Sequence, residues 1–189
     1  MKAMIYTQYG SPDMVRLAHM PPPTIKADEV LVKIHAVSVN SADVRLLAGK
    51  PFLVRLMGYG LLKPKHAILG SDIAGRVERV GDGVTAFKVG DAVYGDLANY
   101  GMGGFAEYAA VPQAALAPMP TNLTFEEAAA VPMAAVTALQ ALRDKAQVRA
   151  GERIAINGAS GGVGTFAVQI ARALGADVTA IASTTKLTM

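Results

Sequence analysis

The stretch Ile154–Val178, "IAINGASGGVGTFAVQIARALGADV", decides the fold of the second part of the chain. It passes from a strand-like apolar run through a glycine-rich turn into a helical run and then a second apolar run, which is the order of a βαβ unit. Two motifs overlap in the turn. Residues 158–162 fit the G-x-S-x-G nucleophile elbow of serine hydrolases, and residues 159–164 fit a dinucleotide-binding turn with alanine in place of one glycine.

The order of residues along the chain separates the two motifs. An α/β-hydrolase places its acid and then its histidine after the nucleophilic serine, because later strands of that fold deliver them. All three histidines, His19, His35 and His66, precede Ser160. A triad with an upstream histidine occurs in other folds, but no oxyanion-loop pattern accompanies this serine. A serine esterase is therefore kept only as a third alternative.

The dinucleotide motif lies between the elements that such a site requires. "ERIAIN" predicts a strand, "GGVGTFAVQIARAL" a helix that ends with Gly175 at the C′ position, and "DVTAIA" a second strand. Gly161 lets the backbone approach a pyrophosphate, Gly164 allows the helix to pack closely on the strand, and the helix N-terminus attracts phosphate. A tight turn that binds nothing is the alternative. The predicted cofactor-binding residues of the turn are Ala159, Ser160, Gly161, Gly162, Val163 and Gly164.

The end of the second predicted strand bears on the choice of cofactor. A site selective for NAD places Asp or Glu about 20 residues beyond the glycine motif, where it binds the ribose 2′-hydroxyl. This chain has Ala182 there, followed by Ser183, Thr184, Thr185 and Lys186. Hydroxyl groups and a lysine suit a 2′-phosphate, although a polar helix N-cap with a surface lysine would have the same sequence. We predict NADPH rather than NADH, bound by Ser183, Thr184 and Lys186.

Composition excludes several other kinds of site. The 189 residues are 52% hydrophobic, which is sufficient for a packed core, and the chain has no cysteine. Disulfides, thiolate zinc sites and a cysteine nucleophile are therefore excluded. The net charge of +3 comes from scattered lysines and arginines, so we expect no nucleic-acid partner. The N-terminus has no secretory signal and no apolar run reaches about 20 residues, so we expect a cytoplasmic protein without a membrane span.

The pattern of turns and apolar runs changes near residue 120. Residues 1–122 carry short β-branched runs between Gly, Pro and Asp turns, which predict a compact, mostly antiparallel β domain without a long helix. Beyond them, Thr124 and Glu127 match a capping box, and the alanine-rich run that follows predicts a helix to Leu142. We therefore predict a second, dinucleotide-binding domain over residues 123–189.

Several motifs in one order make the chain resemble a known family over nearly its whole length. They are "AVSVNSADVRLLAG", "ILGSDIAGRVERVGDGVTAFKVGDAVYG", "GGFAEYAAVP", "LTFEEAAAVPMAAVTALQAL" and "INGASGGVGTFAVQIARALGADV". The family is the medium-chain dehydrogenase/reductases, in their zinc-independent, quinone-oxidoreductase-like branch near zeta-crystallin. The resemblance implies a mixed α/β fold, with a GroES-like β domain followed by the first βαβ unit of a Rossmann domain. Such enzymes are much longer, so it also implies the N-terminal part of a reductase with a truncated Rossmann domain.

The resemblance also implies which residues act. It places Asn40 near the nicotinamide or the substrate carbonyl and Thr137 near the nicotinamide, which makes both residues candidates for catalysis and cofactor binding. Zinc-dependent relatives have a cysteine at the position of Asn40 and a His-Glu pair at Ser71–Asp72, so we expect no metal here. His66 is interpreted as a loop residue rather than a ligand. A turn-capping Asn40 and a Thr137 bonded to its own helix backbone are the alternatives.

A site without a metal requires a substrate that is already electrophilic. Quinones and α,β-unsaturated carbonyls qualify, because hydride addition gives a hydroquinone or an enolate that hydrogen bonds can stabilise. The predicted activity is NADPH-dependent reduction of such a compound, and a non-catalytic nucleotide-binding or structural relative is the alternative. Several quinone reductases of this branch carry a tyrosine where this chain has Val44–Arg45, so water is the expected proton donor.

A single βαβ unit leaves part of its parallel sheet uncovered. Parallel sheets normally carry helices on both faces, because their strands are apolar on both sides. The sequence therefore predicts that Val178 and Ile181 lack part of their usual burial. Self-association through this sheet is expected as one way of covering it.

Overall fold

The computed structural model of the chain describes residues 1–186, and residues 57 and 58 by their backbone alone. The chain forms two compact units, one from Met1 to Ala130 and the other beginning at Val131. Each unit has a hydrophobic core of its own. No helix within the described residues is long and apolar enough to cross a bilayer.

The first unit is built on antiparallel strands, as the β-branched runs predicted. Its strands are β1 (Lys2–Ile5), β2 (Arg16–His19), β3 (Glu29–Val37), β4 (Asp72–Val80), β5 (Ala92–Asp96), β6 (Tyr108–Pro112) and β7 (Leu116–Pro118). The last five form one sheet in the order β6-β3-β4-β5-β7, and β1 pairs with β2 separately. The core of this sheet contains fully buried side chains that include Val30, Val32, Ile73, Val93 and Val111.

The register of β3 on β4 determines which polar residues meet. Val37, at the end of β3, lies opposite Ile73, close to the start of β4. The chain that leaves β3 therefore runs beside the chain that enters β4. Residues 38–40 come close to residues 71 and 72 in this way, although more than 30 residues separate them in sequence.

A short helix, α1 (Ser41–Ala48), follows β3 and was not predicted from the sequence. Leu46 and Leu47 of this helix are buried and pack against Tyr6 and Leu69. The helix ends at Gly49, whose φ of 60° lies in the left-handed region that glycine tolerates best. Helix α1 is only eight residues long, so its apolar positions are too few to produce a clear helical period.

The second predicted helix is broken in the structure. It begins as predicted with a capping box, in which the Glu127 N–H donates to Thr124 Oγ1 at 3.2 Å and the Thr124 N–H donates to Glu127 Oε2 at 2.8 Å. This helix, α2 (Phe125–Ala129), stops after five residues. A separate helix, α3 (Pro132–Leu139), starts with proline in its first turn, where the missing N–H has no cost. The prediction of one continuous helix to Leu142 is therefore wrong.

Helix α2 packs on the sheet of the first unit. Ala128 and Ala129 are buried against Ala74 of β4, and the Phe125 ring stacks on the His35 ring with 4.3 Å between the centroids. Residues 123–130 thus lie with the first unit. The compact units divide between Ala130 and Val131. Whether the chain folds as two independent domains that meet between residues 122 and 123 stays a prediction.

The second unit contains the predicted βαβ order. After α3 and a π-helical turn at Gln140–Lys145 come β8 (Arg153–Asn157), α4 (Gly162–Ala173), β9 (Asp177–Ile181) and a 3-10 turn at Thr184–Lys186. β8 and β9 pair in parallel, which confirms the interpretation of the opening stretch. Helix α4 ends as predicted, with Gly175 at a φ of 84°. Residues 187–189 of the predicted second domain lie outside the described part.

The two-stranded sheet has one covered and one open face. Ile154, Ile156 and Val178 pack with the α3–α4 core, and Val178 remains half-buried there. Ile181 faces the other way and keeps 46% of its surface exposed. The side chains that share its face are mostly polar: Arg153, Ala155, Asn157, Asp177 and Thr179. Burial is therefore incomplete as predicted, and self-association through this open face stays a prediction.

Candidate functional site

The glycine turn is closed by backbone hydrogen bonds to the end of β9. The N–H groups of Gly158 and Ala159 both donate to the carbonyl of Ile181 at 3.0 Å, and the Gly161 N–H donates to the Gly158 carbonyl at 2.9 Å. Gly158 has a φ of 75°, which L side chains rarely adopt. The turn therefore has a fixed shape, set by the adjacent strand and by one left-handed glycine.

Gly164 makes the closest contact between α4 and the turn. A Cβ at this position would lie 2.1 Å from the Gly158 carbonyl oxygen and 2.7 Å from Ala159 Cα. Glycine alone allows the helix to approach the turn so closely. The sequence predicted close packing of this helix on the strand, and the close contact is with the turn that follows the strand.

Gly162 and Val163 lie at the open end of α4. Both residues are exposed, and a Cβ on Gly162 would meet no atom within 4 Å. The first N–H groups of a helix have no partner inside the helix, and they carry its positive dipole end. This end of α4 thus offers uncovered N–H donors and open space for an anionic group.

A cleft with a volume of about 350 Å³ lies beside the turn in the second unit. It brings together residues from the turn, from α4 and from the segment after β9. Among its lining residues are Ala159, Ser160, Thr165, Val168, Ala182 and Lys186. Two regions predicted to bind the same cofactor, the glycine turn and the segment around Lys186, therefore share one cleft.

The lining of the cleft differs in part from the residues predicted to bind the cofactor. Six predicted residues do not line it: Gly161, Gly162, Val163, Gly164, Ser183 and Thr184. Ser183 and Thr184 are exposed, and the Ser183 hydroxyl lies 3.2 Å from the Thr185 hydroxyl. Thr165 and Val168 line the cleft but were not predicted. Their positions one helical turn apart on α4, directly after the glycine motif, are the signal that would have identified them.

In the first unit, Asn40 lies at the N-cap position of α1, with its side chain turned towards β4. Its Nδ2 lies 3.1 Å from Ser38 Oγ, 3.3 Å from Ser71 Oγ and 3.1 Å from Asp72 Oδ2. Ser71 and Asp72 are fully buried, and Asn40 is half-buried. The polar cluster thus consists of one amide, two hydroxyls and a carboxylate. The resemblance had singled out Asn40 as a candidate for catalysis and cofactor binding, and it had singled out Ser71 and Asp72 only through their positions in zinc-dependent relatives.

Asp43 holds the start of α1 against the loop before β4. The Asn40 N–H donates to its Oδ2 at 2.8 Å, and the Gly70 N–H donates to its Oδ1 at 3.0 Å. Asp43 is only 3% exposed. Burial raises the pKa of Asp43 above its usual value, and the two backbone donors oppose that shift in part. Asp43 was not predicted from the sequence, although its position three residues after an N-cap asparagine is typical of a capping box.

The raised pKa of Asp43 predicts how stability depends on pH. The folded state binds the Asp43 proton more tightly than the unfolded state, so protonation of this group stabilises the fold. Its contribution is complete below the unfolded carboxyl pKa of about 3.9 and declines as the pH rises through the folded pKa. We expect the free energy of unfolding of the parent, minus that of Asp43→Asn, to fall as the pH rises from about 4 through the folded pKa of Asp43. Denaturant titrations across this range measure it, and a difference that rises with pH would contradict the prediction.

Thr137 and Asn40 belong to different units. Thr137 is an exposed residue of α3 in the second unit, and Asn40 lies in the first. Their shared role near a nicotinamide stays a prediction.

His66 lies in the first unit, edge-on to Tyr59, with 6.4 Å between the ring centroids. Both residues and Tyr100 line a cavity of about 580 Å³. Burial and the adjacent Lys65 lower the pKa of His66, which favours its neutral form. Across the described residues, no three His, Cys, Asp or Glu side chains are grouped so that they would hold a metal ion.

The chain thus combines an antiparallel β unit with a βαβ unit whose glycine turn is typical of dinucleotide-binding folds. Residues 26–121 match the family model of the alcohol dehydrogenase GroES-like domain. The chain belongs to this family, within the medium-chain dehydrogenase/reductase superfamily, which confirms the resemblance and the fold predicted from the sequence.

Its relatives include quinone and enone reductases. The chain is 40% identical to 2-methylene-furan-3-one reductase of Solanum lycopersicum over 99% of its own length and 48% of that protein. It is 37% identical to quinone oxidoreductase of Homo sapiens, over 97% of this chain and 53% of that protein. The structure of the quinone oxidoreductase from Coxiella burnetii superposes with a TM-score of 0.87 at 32% identity, covering 98% of this chain and 57% of that one. The chain spans about half the length of these relatives.

Proposed function

We propose that this chain carries the NADPH-binding turn and the Asn40 cluster of a metal-free oxidoreductase that reduces a quinone or an α,β-unsaturated carbonyl. The observation that carries the proposal is the cleft that Ser160 of the glycine turn, Thr165 of α4 and Lys186 line together. Bound NADPH would supply a hydride, and the substrate would take up that hydride and a proton from water. The substrate would thereby gain two electrons, and NADP⁺ would be the oxidised product.

The residues of the cleft fit the charged parts of NADPH. The N–H groups at the start of α4 and the Ser160 hydroxyl suit the pyrophosphate, because each can donate a hydrogen bond to an anionic oxygen. Ala182 puts no carboxylate where a 2′-phosphate would be repelled, and Lys186 supplies a positive charge on the same cleft. These features support NADPH over NADH.

The Asn40 cluster favours a substrate that needs no metal activation. An amide, two hydroxyls and one carboxylate are a poor donor set for zinc, which prefers thiolate and imidazole ligands. Quinones and enones accept hydride without a Lewis acid, and two relatives are named for such reactions. In this proposal, Thr137 and Asn40 both act near the nicotinamide. A cytoplasmic location stays a prediction.

An assay of hydride transfer from NADPH to candidate substrates tests this function. NADPH oxidation, followed by its absorbance, is expected with 1,4-benzoquinone or a 2-enal and not with a saturated alcohol or ketone. Tight NADPH binding without turnover of any activated electrophile would instead indicate the non-catalytic relative.

Lys186→Ala is expected to weaken NADPH binding about tenfold, since the variant loses a charge-assisted contact to the 2′-phosphate. Fluorescence titration of the intact protein measures the dissociation constant. NADH, which lacks that phosphate, is expected to bind the variant and the parent equally.

Lys145→Ala is the matched control, because Lys145 is another exposed lysine of the second unit outside the cleft. It is expected to leave both dissociation constants unchanged. If Lys186→Ala weakened the binding of NADH and of NADPH by the same factor, Lys186 would not contact the 2′-phosphate.

Exhaustive chelation is expected to leave both turnover and the thermal midpoint of unfolding unchanged, because the Asn40 cluster offers only one carboxylate to a metal. Activity assays and thermal melts before and after chelator treatment measure this. Stoichiometric zinc in elemental analysis, lost together with activity, would refute the prediction.

A further inference from the structure

A loop of the first unit carries large apolar side chains at the protein surface. This apolar loop comprises residues 50–65, directly after α1, and its sequence is "KPFLVRLMGYGLLKPK". Five of its apolar side chains are at least half exposed: Phe52, Leu53, Leu56, Leu61 and Leu62. The exposed fraction of Leu62 reaches 90%. Single exposed apolar side chains are ordinary, whereas a group of them within one loop is typical of a surface that contacts a partner or a membrane.

Contacts with the rest of the first unit hold the apolar loop in place. The Tyr9 hydroxyl lies 2.9 Å from the carbonyl oxygen of Tyr59 and 2.6 Å from that of Gly60. The Arg55 guanidinium lies over the Tyr9 ring, with 4.3 Å between Cζ and the ring centroid. Val54 and Tyr59 pack against the buried core of the unit. The loop therefore has an inner side that is packed on the unit, while its five exposed side chains remain at the surface.

The ionisable charges around these side chains are positive. Between Asp43 and Asp72 the sequence contains five lysines and arginines and no aspartate or glutamate. Three of the lysines belong to the apolar loop and are exposed: Lys50, Lys63 and Lys65. The apolar stem of a lysine can lie along a hydrocarbon surface while its ammonium group reaches the polar layer above it. The apolar loop thus combines exposed hydrocarbon with a net positive charge.

We propose that the apolar loop is a docking site for the surface of an anionic lipid bilayer. Phe52 and the exposed leucines enter the boundary between the headgroups and the acyl chains, and the lysines contact lipid phosphates. The protein lies on the bilayer in this arrangement and does not span it. The inference is independent of the proposed function, because it involves neither the cofactor nor the reaction.

The charge of the apolar loop favours a lipid surface over a second copy of this chain. A twofold contact between two copies places the same patch on both sides of the interface. The lysines of one loop would then face those of the other, and the like charges would repel each other. Anionic headgroups instead neutralise the lysines, and the same bilayer takes up the apolar side chains.

Vesicle sedimentation of the intact protein tests the proposal. We expect binding to vesicles of equal parts phosphatidylserine and phosphatidylcholine, and binding at least about tenfold weaker to vesicles of phosphatidylcholine alone. Added salt is expected to weaken binding to the anionic vesicles, because it screens the lysines from the phosphates. Equal binding to both kinds of vesicle, or binding to neither, would overturn the proposal.

Two variants, each with a matched control, separate the apolar contribution from the charged one. Leu62→Ser is expected to weaken binding to the anionic vesicles about tenfold, and Val89→Ser, at an exposed apolar residue outside the loop, to leave it unchanged. Lys63→Glu is expected to weaken binding about tenfold, and Lys145→Glu, which changes the net charge equally at an exposed lysine of the second unit, by less than about twofold. If each variant bound as tightly as its control, the loop would not be the docking site.

Tryptophan fluorescence tests whether the apolar loop itself enters the bilayer. This chain contains no tryptophan, so Leu62→Trp introduces a fluorophore into the loop, and the parent spectrum is subtracted as background. We expect the emission of Leu62→Trp to shift to shorter wavelength with anionic vesicles, and the emission of Val89→Trp to stay unchanged. The absence of a shift in Leu62→Trp, or a shift of equal size in both variants, would overturn the proposal.

The mass of the protein in solution identifies the other occupants of this surface. A dimer that forms without lipid, dissociates in Leu62→Ser and does not bind vesicles would assign the loop to a second copy. A monomer that does not bind vesicles would leave the loop to a different protein. Each of these outcomes would overturn the docking of the loop on lipid.

Discussion

Replacing Gly164 by alanine is expected to lower the free energy of unfolding of the second unit by about 3 kcal/mol or more and to abolish NADPH binding. The added Cβ would lie 2.1 Å from the Gly158 carbonyl oxygen and 2.7 Å from Ala159 Cα. Both are backbone atoms, so no change of side-chain rotamer removes the clash. Either α4 separates from the turn or the turn moves, and in both cases Ser160 leaves its place beside the start of the helix.

Gly162→Ala is the matched control on the same helical turn. A Cβ on Gly162 would have no neighbour within 4 Å, so this variant is expected to unfold within about 1 kcal/mol of the parent. Denaturant titration of the intact proteins measures stability, and amide hydrogen exchange in β8 and α4 assigns the loss to the second unit. Gly164→Ala and Gly162→Ala unfolding at the same denaturant concentration would refute the prediction.

Asp43→Ala is expected to lower the free energy of unfolding of the first unit by about 3 kcal/mol. The variant removes the acceptor of two backbone N–H groups, those of Asn40 and Gly70, at a site that water hardly reaches. Unpaired donors in such a site lose their hydration without compensation.

Ser41→Ala controls for the helix itself, because Ser41 is an exposed residue in the first turn of α1. Its expected effect is within about 0.5 kcal/mol, as for most exposed positions. Denaturant titration of the three proteins at neutral pH measures the difference. If Asp43→Ala were as stable as Ser41→Ala, the two hydrogen bonds to Asp43 would contribute nothing to the fold.

The glycine turn could be predicted from the sequence because its elements are neighbours along the chain. Its strand, turn and helix are consecutive, and the roles of Gly164 and Gly175 depend on local backbone geometry, so a motif of a few residues was sufficient to predict them. Lys186 was placed on the same site from its distance along the chain, and the cleft contains it.

The contacts within the Asn40 cluster could not be predicted from the sequence. Its members come from the end of β3 and the start of β4, and only the pairing of Val37 with Ile73 brings them together. No local pattern encodes that register. Asp43 was missed for a related reason, since a buried charge on a helix of eight residues obscures the apolar period that would reveal the helix.

The break between α2 and α3 was hidden by composition. Alanine favours a helix on both sides of the break, so the propensity of residues 124–142 is nearly uniform. Pro132 was the only local signal, and a proline marks equally well the first turn of a new helix and a kink in an old one.

The packing of α2 on the first unit determines where relatives of this protein can be recombined. A chimaera joined between residues 122 and 123 would place a foreign Phe125 against His35 and foreign residues against Ala74. A chimaera joined between Ala130 and Val131 keeps both of these contacts within one parent. Exchange of the second unit between relatives therefore requires a crossover in the short link between α2 and α3.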